Sequence, residues 1–299
     1  MDTASKKFRA ADILLLCLTV LPLVAGIVLK VCTAPATEGI VIAGAQIYTT
    51  VTLPPFGALP ITESQVNSLL VLLSVFFLCL FLTHGICADG KSKRQLLCEW
   101  IVEKTQQLVR ENMGDYFAGF APFVAAIMAL SACSSLLSLL GLYPPTSDLN
   151  VVAGWAILVF ILITYYKCKA GPLTYLRSFA EPVPFLLPLN IISEVATPVS
   201  MAFRHYGNVL SGSVISVLVA AGLSGLSKLL LGWLPGLFGD IPFLQIGLPA
   251  LLSVYFDVFS GLLQAFIFAM LTMLYVAGGF PAEQYAARQA KKHPAARKS

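Results

Sequence analysis

Three ionisable residues lie inside long apolar stretches of this sequence, where a charge is costly. Arg204 is near the middle of an apolar run over residues 185–231, and Glu194 precedes it in the same run. Asp257 lies in the next run, over residues 243–279. A charged side chain at the centre of a bilayer costs about 2.5–3.5 kcal/mol on insertion scales, so such residues face protein, water or a counter-charge and mark ion pathways. The three residues therefore predict ion transport.

Small polar residues surround Arg204 on its predicted helix. At about 100° per residue, four of them fall within about 40° of Arg204: Ser193, Ser200, Asn208 and Ser211. Two interpretations are open for this stripe, a polar working face or a helix–helix seam, because small residues let helices approach closely. On the last run the same count places five residues on one face: Asp257, Ser260, Gly261, Gln264 and Tyr275.

The composition identifies the class of protein that must position these residues. Of 299 residues, 58% are hydrophobic and 11% are charged, against about 25% charged in an ordinary soluble domain. A span needs about 20 apolar residues. Six runs offer crossings, over residues 12–33, 66–87, 118–141, 151–166, 185–231 and 243–279. The sequence predicts an all-α integral membrane protein with about six helices in a single membrane domain.

The placement of basic residues predicts the orientation of the helices. All of the 19 lysines and arginines except Lys30, Arg204 and Lys228 lie before the first run or after the second, fourth and last runs. The loops over 34–64, 142–150 and 232–242 contain none. Because basic residues accumulate in cytoplasmic loops, both termini, including the basic tail over 281–299, are expected in the cytoplasm. Lys30 and Lys228 lie near outer helix ends, where a long side chain can reach the headgroups.

The first 64 residues contain two further segments. Residues 12–33 predict an extra helix that is retained in the membrane. The alternative is a cleaved secretory signal, because basic residues precede the run and Ala34-Pro35-Ala36 follows it. The retained helix is preferred because the apolar stretch is longer than a typical signal core. The outer segment over 34–64 has alternating β-branched residues and predicts an extended or hairpin structure.

Two other features concern the cytoplasmic surface and the last two runs. Residues 91–112 mix apolar and charged residues in the pattern of an amphipathic helix on the membrane surface. As single helices, the runs over 185–231 and 243–279 would be about 70 and 55 Å long. Both exceed the hydrocarbon thickness of about 30 Å, so they are expected to be strongly tilted and packed as an antiparallel hairpin.

Three motifs resemble those of a known family, the a-subunit of F-type ATP synthases. The first motif runs through Pro188-Leu189-Asn190, Glu194, Thr197-Pro198-Val199-Ser200 and Arg204-His205-Tyr206-Gly207-Asn208. The second is Leu263-Gln264-Ala265-Phe266-Ile267-Phe268 followed by Leu274-Tyr275, and the third is Thr146-Ser147-Asp148-Leu149-Asn150. The resemblance covers about residues 66–280, and the motifs in this order are highly specific.

The resemblance implies an ion-translocating stator subunit, non-catalytic on its own, that packs against a rotating ring of c-subunits. Two offset half-channels would load and unload the ring carboxylates. Arg204 would be the essential stator arginine, Gln264 its close neighbour and Asn208 part of the ring-facing surface. Glu194 would belong to the cytoplasmic half-channel and Asp257 to the outer one. Secondary positions are Asp148, Asn150, Ser200, Ser211, Ser213, His205 and Tyr275.

The resemblance also implies the surroundings of the chain. The expected partners are the c-subunit ring, b-type peripheral stalk subunits, other ATP synthase subunits and membrane lipid. No nucleic acid, cofactor or metal is expected. The location implied is an energy-transducing membrane, the bacterial plasma membrane.

The sequence departs from the family pattern at two places. His205-Tyr206 stands where leucine and phenylalanine usually follow the arginine. Ser213, nine residues after Arg204, replaces a residue that is often Glu or His. Because serine does not titrate, the outer half-channel is expected to depend more on Asp257.

Two other functions remain as alternatives, an ion-coupled secondary transporter and a multi-pass membrane enzyme. A transporter of the repeat class should show internal repeats and broken helices at the bilayer midplane. An enzyme should show a nucleophile with a base, or a metal cluster. Neither pattern is evident in the sequence.

Overall fold

The structure is a computed structural model. In the part of the chain that it describes, the fold consists mainly of nine α-helices. That part comprises residues 2–33, 44–54, 57–86, 92–179, 183–231, 243–280 and 282. The helices are α1 (Asp2–Thr33), α2 (Glu63–Thr83), α3 (Lys93–Met113), α4 (Ala121–Leu136), α5 (Leu149–Lys167), α6 (Pro172–Ser178), α7 (Leu187–Leu231), α8 (Phe243–Ser253) and α9 (Gly261–Gly278). The predicted loop over 232–242 and nearly all of the basic tail lie outside the described residues.

Within the described ranges, six helical segments are long and apolar enough to cross a membrane. They are Ala10–Thr33, Glu63–Thr83, Asp115–Leu140, Leu149–Lys167, Pro184–Leu230 and Gly247–Gly278. The all-α integral membrane class and the six helices predicted from the sequence are therefore confirmed. Short 3₁₀ turns flank the α-helices at Asp115–Phe120, Leu137–Leu140, Pro145–Ser147, Cys168–Ala170 and Pro184–Leu186.

A two-stranded hairpin precedes α2. Its strands, β1 (Ile47–Leu53) and β2 (Gly57–Thr62), pair in antiparallel register within the segment predicted to be extended. Thr62 then caps α2 in a capping box with Gln65, whose side chain accepts a hydrogen bond from the Thr62 backbone N–H at 3.3 Å. Because the cap satisfies backbone groups of the first turn, the hairpin leads directly into α2.

The helices run between two ends of the molecule. The hairpin end carries the hairpin, the start of α2 and the turn over 141–148. The opposite end, called the α3 end below, carries α3, the end of α5 and the end of α9. At the α3 end, Phe280 stacks on Tyr116 with ring centroids 4.4 Å apart, which fixes the end of α9 beside the start of α4.

The main core lies between α4, α5 and α9. All three helices contribute apolar side chains to it. The most buried ones are Val109, Val124, Val159, Phe268, Ala269, Met273 and Val276. The amphipathic helix α3 packs on this core through Val109 and Met113. Leu108 also packs against it. Most of the other apolar side chains of α3 are exposed, Leu96, Leu97, Trp100, Ile101 and Val102 among them, a pattern expected of a helix that lies on a membrane surface.

The long helix α7 pairs with the last helical segment in antiparallel fashion. Asn208 on α7 contacts Ser260, and Gly212 faces Phe256, so residue numbers rise along one helix as they fall along the other. With 45 residues, α7 is about 68 Å long, more than twice the thickness of the hydrocarbon. The strong tilt of the pair in a membrane stays a prediction.

The last predicted helix is interrupted by a π-helical segment. Residues Val254–Ser260 form the π turns between α8 and α9. A π turn uses i→i+5 hydrogen bonds and takes more residues than an α turn. The count of 100° per residue therefore does not apply across this segment. For this reason the sequence count does not establish that Asp257 shares a helix face with Gln264 and Tyr275.

Candidate functional site

Arg204 lies on the exposed side of α7, away from the protein core. Ser193, Ser200 and Ser211 are exposed as well. Arg204 makes no hydrogen bond or ion pair with any residue that the structure describes. An arginine in the middle of an apolar helix that has no partner among the described residues can offer its charge to a second molecule.

Asn208 differs from the rest of the predicted stripe because it turns towards the last helix. Its amide Nδ2 donates to Ser260 Oγ at 2.7 Å, and Ser260 Oγ lies 3.0 Å from Asn208 Oδ1, to which it donates. Asn208 is half-buried. This residue therefore contributes to the helix–helix seam, the alternative that the stripe left open, and its place on the ring-facing surface stays a prediction.

The seam is tight next to that hydrogen bond. A Cβ atom at Gly212 would lie 2.9 Å from Phe256 Cβ, closer than packed carbon atoms normally approach. The absence of a side chain at Gly212 thus lets α7 and the π segment come together. The same register places Gln264, which is buried on α9, level with Arg204 along the pair. No hydrogen bond joins these two side chains within the described ranges.

His205 lies on the opposite side of α7 from the exposed face. It is fully buried, its Nε2 lies 3.3 Å from Ser131 Oγ, and its ring packs edge-on to Phe268 at 5.6 Å between centroids. Its Nδ1 is buried without a hydrogen-bond partner among the described residues. His205, a predicted secondary position, thus lies in the protein core between α7, α4 and α9.

An open cavity at the α3 end brings Glu194 and Tyr275 together. The cavity has a volume of 360 Å³ and is lined by Ile163, Lys167, Glu194, Thr197, Leu274, Tyr275, Gly278 and Gly279. Lys167 Nζ lies 2.7 Å from Glu194 Oε1 and 2.6 Å from Oε2. The cavity is therefore lined by a carboxylate that is already paired with the ammonium group of Lys167.

Two residues that complete the Glu194 site were missed by the sequence analysis. Lys167 lies in the predicted loop that follows the fourth apolar run, and no sequence motif singles out Tyr175. Tyr175 Oη donates to Glu194 Oε1 at 3.3 Å, and burial, followed by the nearby Glu194 charge, raises the pKa of the Tyr175 phenol. A separation of 27 residues along the chain has no helical periodicity, so no signal in the sequence pairs Lys167 with Glu194.

Asp257 lies in the π segment, between Phe256 and Ser260 of the seam. It is half-buried and accepts a hydrogen bond from Ser253 Oγ, one turn earlier. π turns inside α-helices occur frequently at functional sites. Ser213, the other position considered for this side, is exposed on α7 and its hydroxyl donates to the Leu210 carbonyl at 2.8 Å.

Asp148 caps the start of α5 at the hairpin end. Its Oδ1 accepts from the backbone N–H of Asn150 at 2.9 Å, and its Oδ2 accepts from Ser64 Oγ at the start of α2. Asn150 itself is exposed. The predicted site residues thus form separate groups along the molecule, with Glu194 and Tyr275 at the α3 end, Arg204 between the ends, and Asp257 and Asp148 on the hairpin side.

Comparisons with known proteins agree with the motifs. The sequence model of the ATP synthase A chain family matches residues 66–277. The chain is 29% identical over 230 residues to ATP synthase subunit a of Legionella pneumophila strain Paris, covering 76% of this chain and 90% of the relative. It is 32% identical over 238 residues to ATP synthase subunit a of Priestia megaterium, covering 75% and 94%. Identity to the Alkalihalophilus pseudofirmus subunit a is also 32%, over 219 residues.

Proposed function

The chain belongs to the ATP synthase A chain family, and on this premise we propose that it forms the ion path of the synthase membrane sector. Membership makes it a multi-pass membrane subunit of a rotary ATP synthase, with other synthase subunits as partners and no catalysis of its own. The proposal adds a ring of c-subunits against α7, b-type stalk subunits as further partners, and the bacterial plasma membrane with both termini in the cytoplasm.

One observation carries the proposal: Arg204 is exposed on α7 and has no partner among the described residues. A fixed cation favours the ionised form of a carboxylate that comes within about 4–6 Å. A ring carboxylate opposite Arg204 would therefore release its ion. Once the carboxylate turned away into lipid it would bind an ion again, because an unpaired charge there is costly. Arginine suits this role because it stays protonated, whereas a buried lysine readily loses its proton.

The other groups supply two aqueous routes in this proposal. The cavity with Glu194 and Tyr275 at the α3 end is the cytoplasmic half-channel. Asp257 in the π segment, with Asp148 at the hairpin end, serves the outer half-channel. Arg204 lies between the two and repels cations, which keeps the half-channels from joining into a leak. Gln264, level with Arg204, lines the seam beside it, while Ser200 and Ser211 border the surface that faces the ring.

The decisive experiment replaces Arg204 in the assembled complex and measures ion-driven ATP synthesis in membrane vesicles. Arg204→Ala should lower the rate at least about a hundredfold, a loss typical of removing one preorganised charge-stabilising group. The c-ring should still co-purify with the variant. Arg177→Ala is the matched control, because Arg177 is exposed on α6 and should leave the rate unchanged. Normal synthesis by Arg204→Ala would refute the proposal.

A further inference from the structure

Helix α1 supplies the cation for a buried acid on α2. Lys30 Nζ lies 3.2 Å from Glu63 Oε1, and the Glu63 side chain is only 3% exposed. Glu63 Oε1 also accepts the backbone N–H of Tyr143 at 3.4 Å. An ionised carboxylate is costly to bury unless it is paired and hydrogen-bonded. Lys30, which the sequence suggested would reach lipid headgroups, is instead the ion-pair partner of Glu63.

The first turns of α2 also hold the turn that carries Asp148. Ser64, next to Glu63, donates its hydroxyl to Asp148 Oδ2. Asn67, one turn further along α2, donates to the Tyr143 carbonyl at 2.8 Å. Burial raises the pKa of the Tyr143 phenol, and the charges of Asp148 and Glu63 contribute. The start of α2 and the turn over 143–148 therefore form one polar cluster.

Ion pairs also hold helix α1 near the start of its membrane-crossing part, Ala10–Thr33. Asp12 Oδ1 lies 2.9 Å from Arg94 Nη1 and 3.1 Å from His84 Nδ1. The range matched by the family model begins at residue 66, so all of α1 lies outside it. Ion pairs near both ends of Ala10–Thr33 make α1 a fixed part of the helix packing in this chain.

We infer that α1 is a positioning element of the outer ion path, in which Lys30 holds Glu63 and thereby keeps the Ser64 hydroxyl on Asp148. The functional part of this inference rests on the proposed function, because Asp148 is assigned there to the outer half-channel. Lys30 touches no transported ion; it acts through Glu63 and the first turn of α2. The chain thus uses a helix outside the family match to set the geometry of a residue inside it.

The test measures ion-driven ATP synthesis by the full complex, normalised to the amount of assembled subunit. Lys30→Met should slow synthesis about threefold to thirtyfold, the range of coupling effects between linked residues. Lys30→Arg should restore the rate because it keeps the charge. Lys228→Met is the control, since Lys228 is the other lysine near an outer helix end and is exposed; it should leave the rate unchanged. A normal rate in Lys30→Met, or an equal loss in Lys30→Arg, would overturn the inference.

A double variant keeps the test decisive if Lys30→Met does not assemble. Lys30→Met with Glu63→Gln removes the anion together with the cation, so no uncompensated buried charge remains. This double variant should assemble and be faster than Lys30→Met alone wherever the single variant can be measured. Failure of both variants to assemble would contradict the inference, because it would show that the loss does not come from an unpaired Glu63.

Cross-linking tests the geometry independently of transport. With the native cysteines replaced, Lys30→Cys and Glu63→Cys should be joined by a short thiol cross-linker in the assembled complex. Absence of the cross-link would overturn the inference. Arg204→Ala separates the two proposals: a normal rate in that variant rejects the proposed function, whereas a large loss there with a normal rate in Lys30→Met rejects the role of α1 alone.

Discussion

Lys167 at the end of α5 places its ammonium group within 2.7 Å of both carboxylate oxygens of Glu194 on α7. The packing around it favours this position, because a Cβ atom at Gly279 would lie 2.9 Å from Lys167 Cε. The last helix therefore leaves room for the lysine chain to reach Glu194. The wall of the cavity at the α3 end is built from α5, α7 and α9 around one ion pair.

The Lys167–Glu194 pair should show strong energetic coupling. The two side chains are 26% and 15% exposed, so loss of either partner leaves a poorly solvated charge. Lys167→Met and Glu194→Gln should each lower the thermal stability of the purified complex. The double variant should be more stable than the sum of the two single losses predicts, with a coupling free energy of about 0.5–3 kcal/mol. Additive effects would contradict this pairing. Lys104→Met is the control, because exposed Lys104 bonds a neighbouring side chain on the same helix at the surface.

Asp257 should be needed for ion uptake at the outer side. Asp257→Asn keeps the shape of the side chain and can still accept from Ser253 Oγ, but it cannot bind and release a proton. Ion-driven synthesis should fall at least about tenfold, because a positioned proton-transfer group contributes about 10²–10⁴ in rate. Asp115→Asn, at an exposed acid of the α3 end, is the control. A wild-type rate for Asp257→Asn at every pH between about 6 and 9 would reject its role.

Two glycines of α7 should respond to alanine in opposite directions. At Gly212 the new Cβ would meet Phe256 Cβ at 2.9 Å, whereas at Gly222 it would meet nothing within 4 Å. Overpacking costs about 1–3 kcal/mol, so Gly212→Ala should destabilise the complex. Gly222→Ala should be neutral or stabilising by up to about 1 kcal/mol, because alanine is the better helix former. Thermal denaturation followed by light scattering measures both, and equal effects would argue against the tight seam.

Hydropathy predicted the membrane class and the six helices, because the cost of burying charge acts on each segment separately. The motifs and their order predicted the family. The ion pairs of Lys30 with Glu63 and of Lys167 with Glu194 were not predicted. Each joins residues on different helices, and their meeting depends on how those helices rotate and pack. The predicted stripe around Arg204 was only partly a surface, since Asn208 turns towards Ser260.

The π segment explains a further failure of the sequence analysis. A count at a fixed angle assumes an unbroken α-helix, and nothing in the residues Val254–Ser260 signals the wider turns. The roles of Arg204, Glu194, Gln264 and Asp257 in transport stay predictions. The structure shows where these residues lie along the helices and which residues neighbour them. The proposed substitutions test the roles themselves.

The length of α7 has a consequence for any partner that moves beside it. If both ends of a helix about 68 Å long stay within hydrocarbon about 30 Å thick, its axis leans about 64° from the membrane normal and extends about 60 Å sideways. Packed helices are spaced about 8–10 Å apart. Several upright helices of a partner would therefore contact α7 at the same time. While one of them passes Arg204, the apolar parts of α7 on either side of Arg204 would support the adjacent partner helices. In the proposed function, the length of α7 would thus give several ring helices a common surface to slide on.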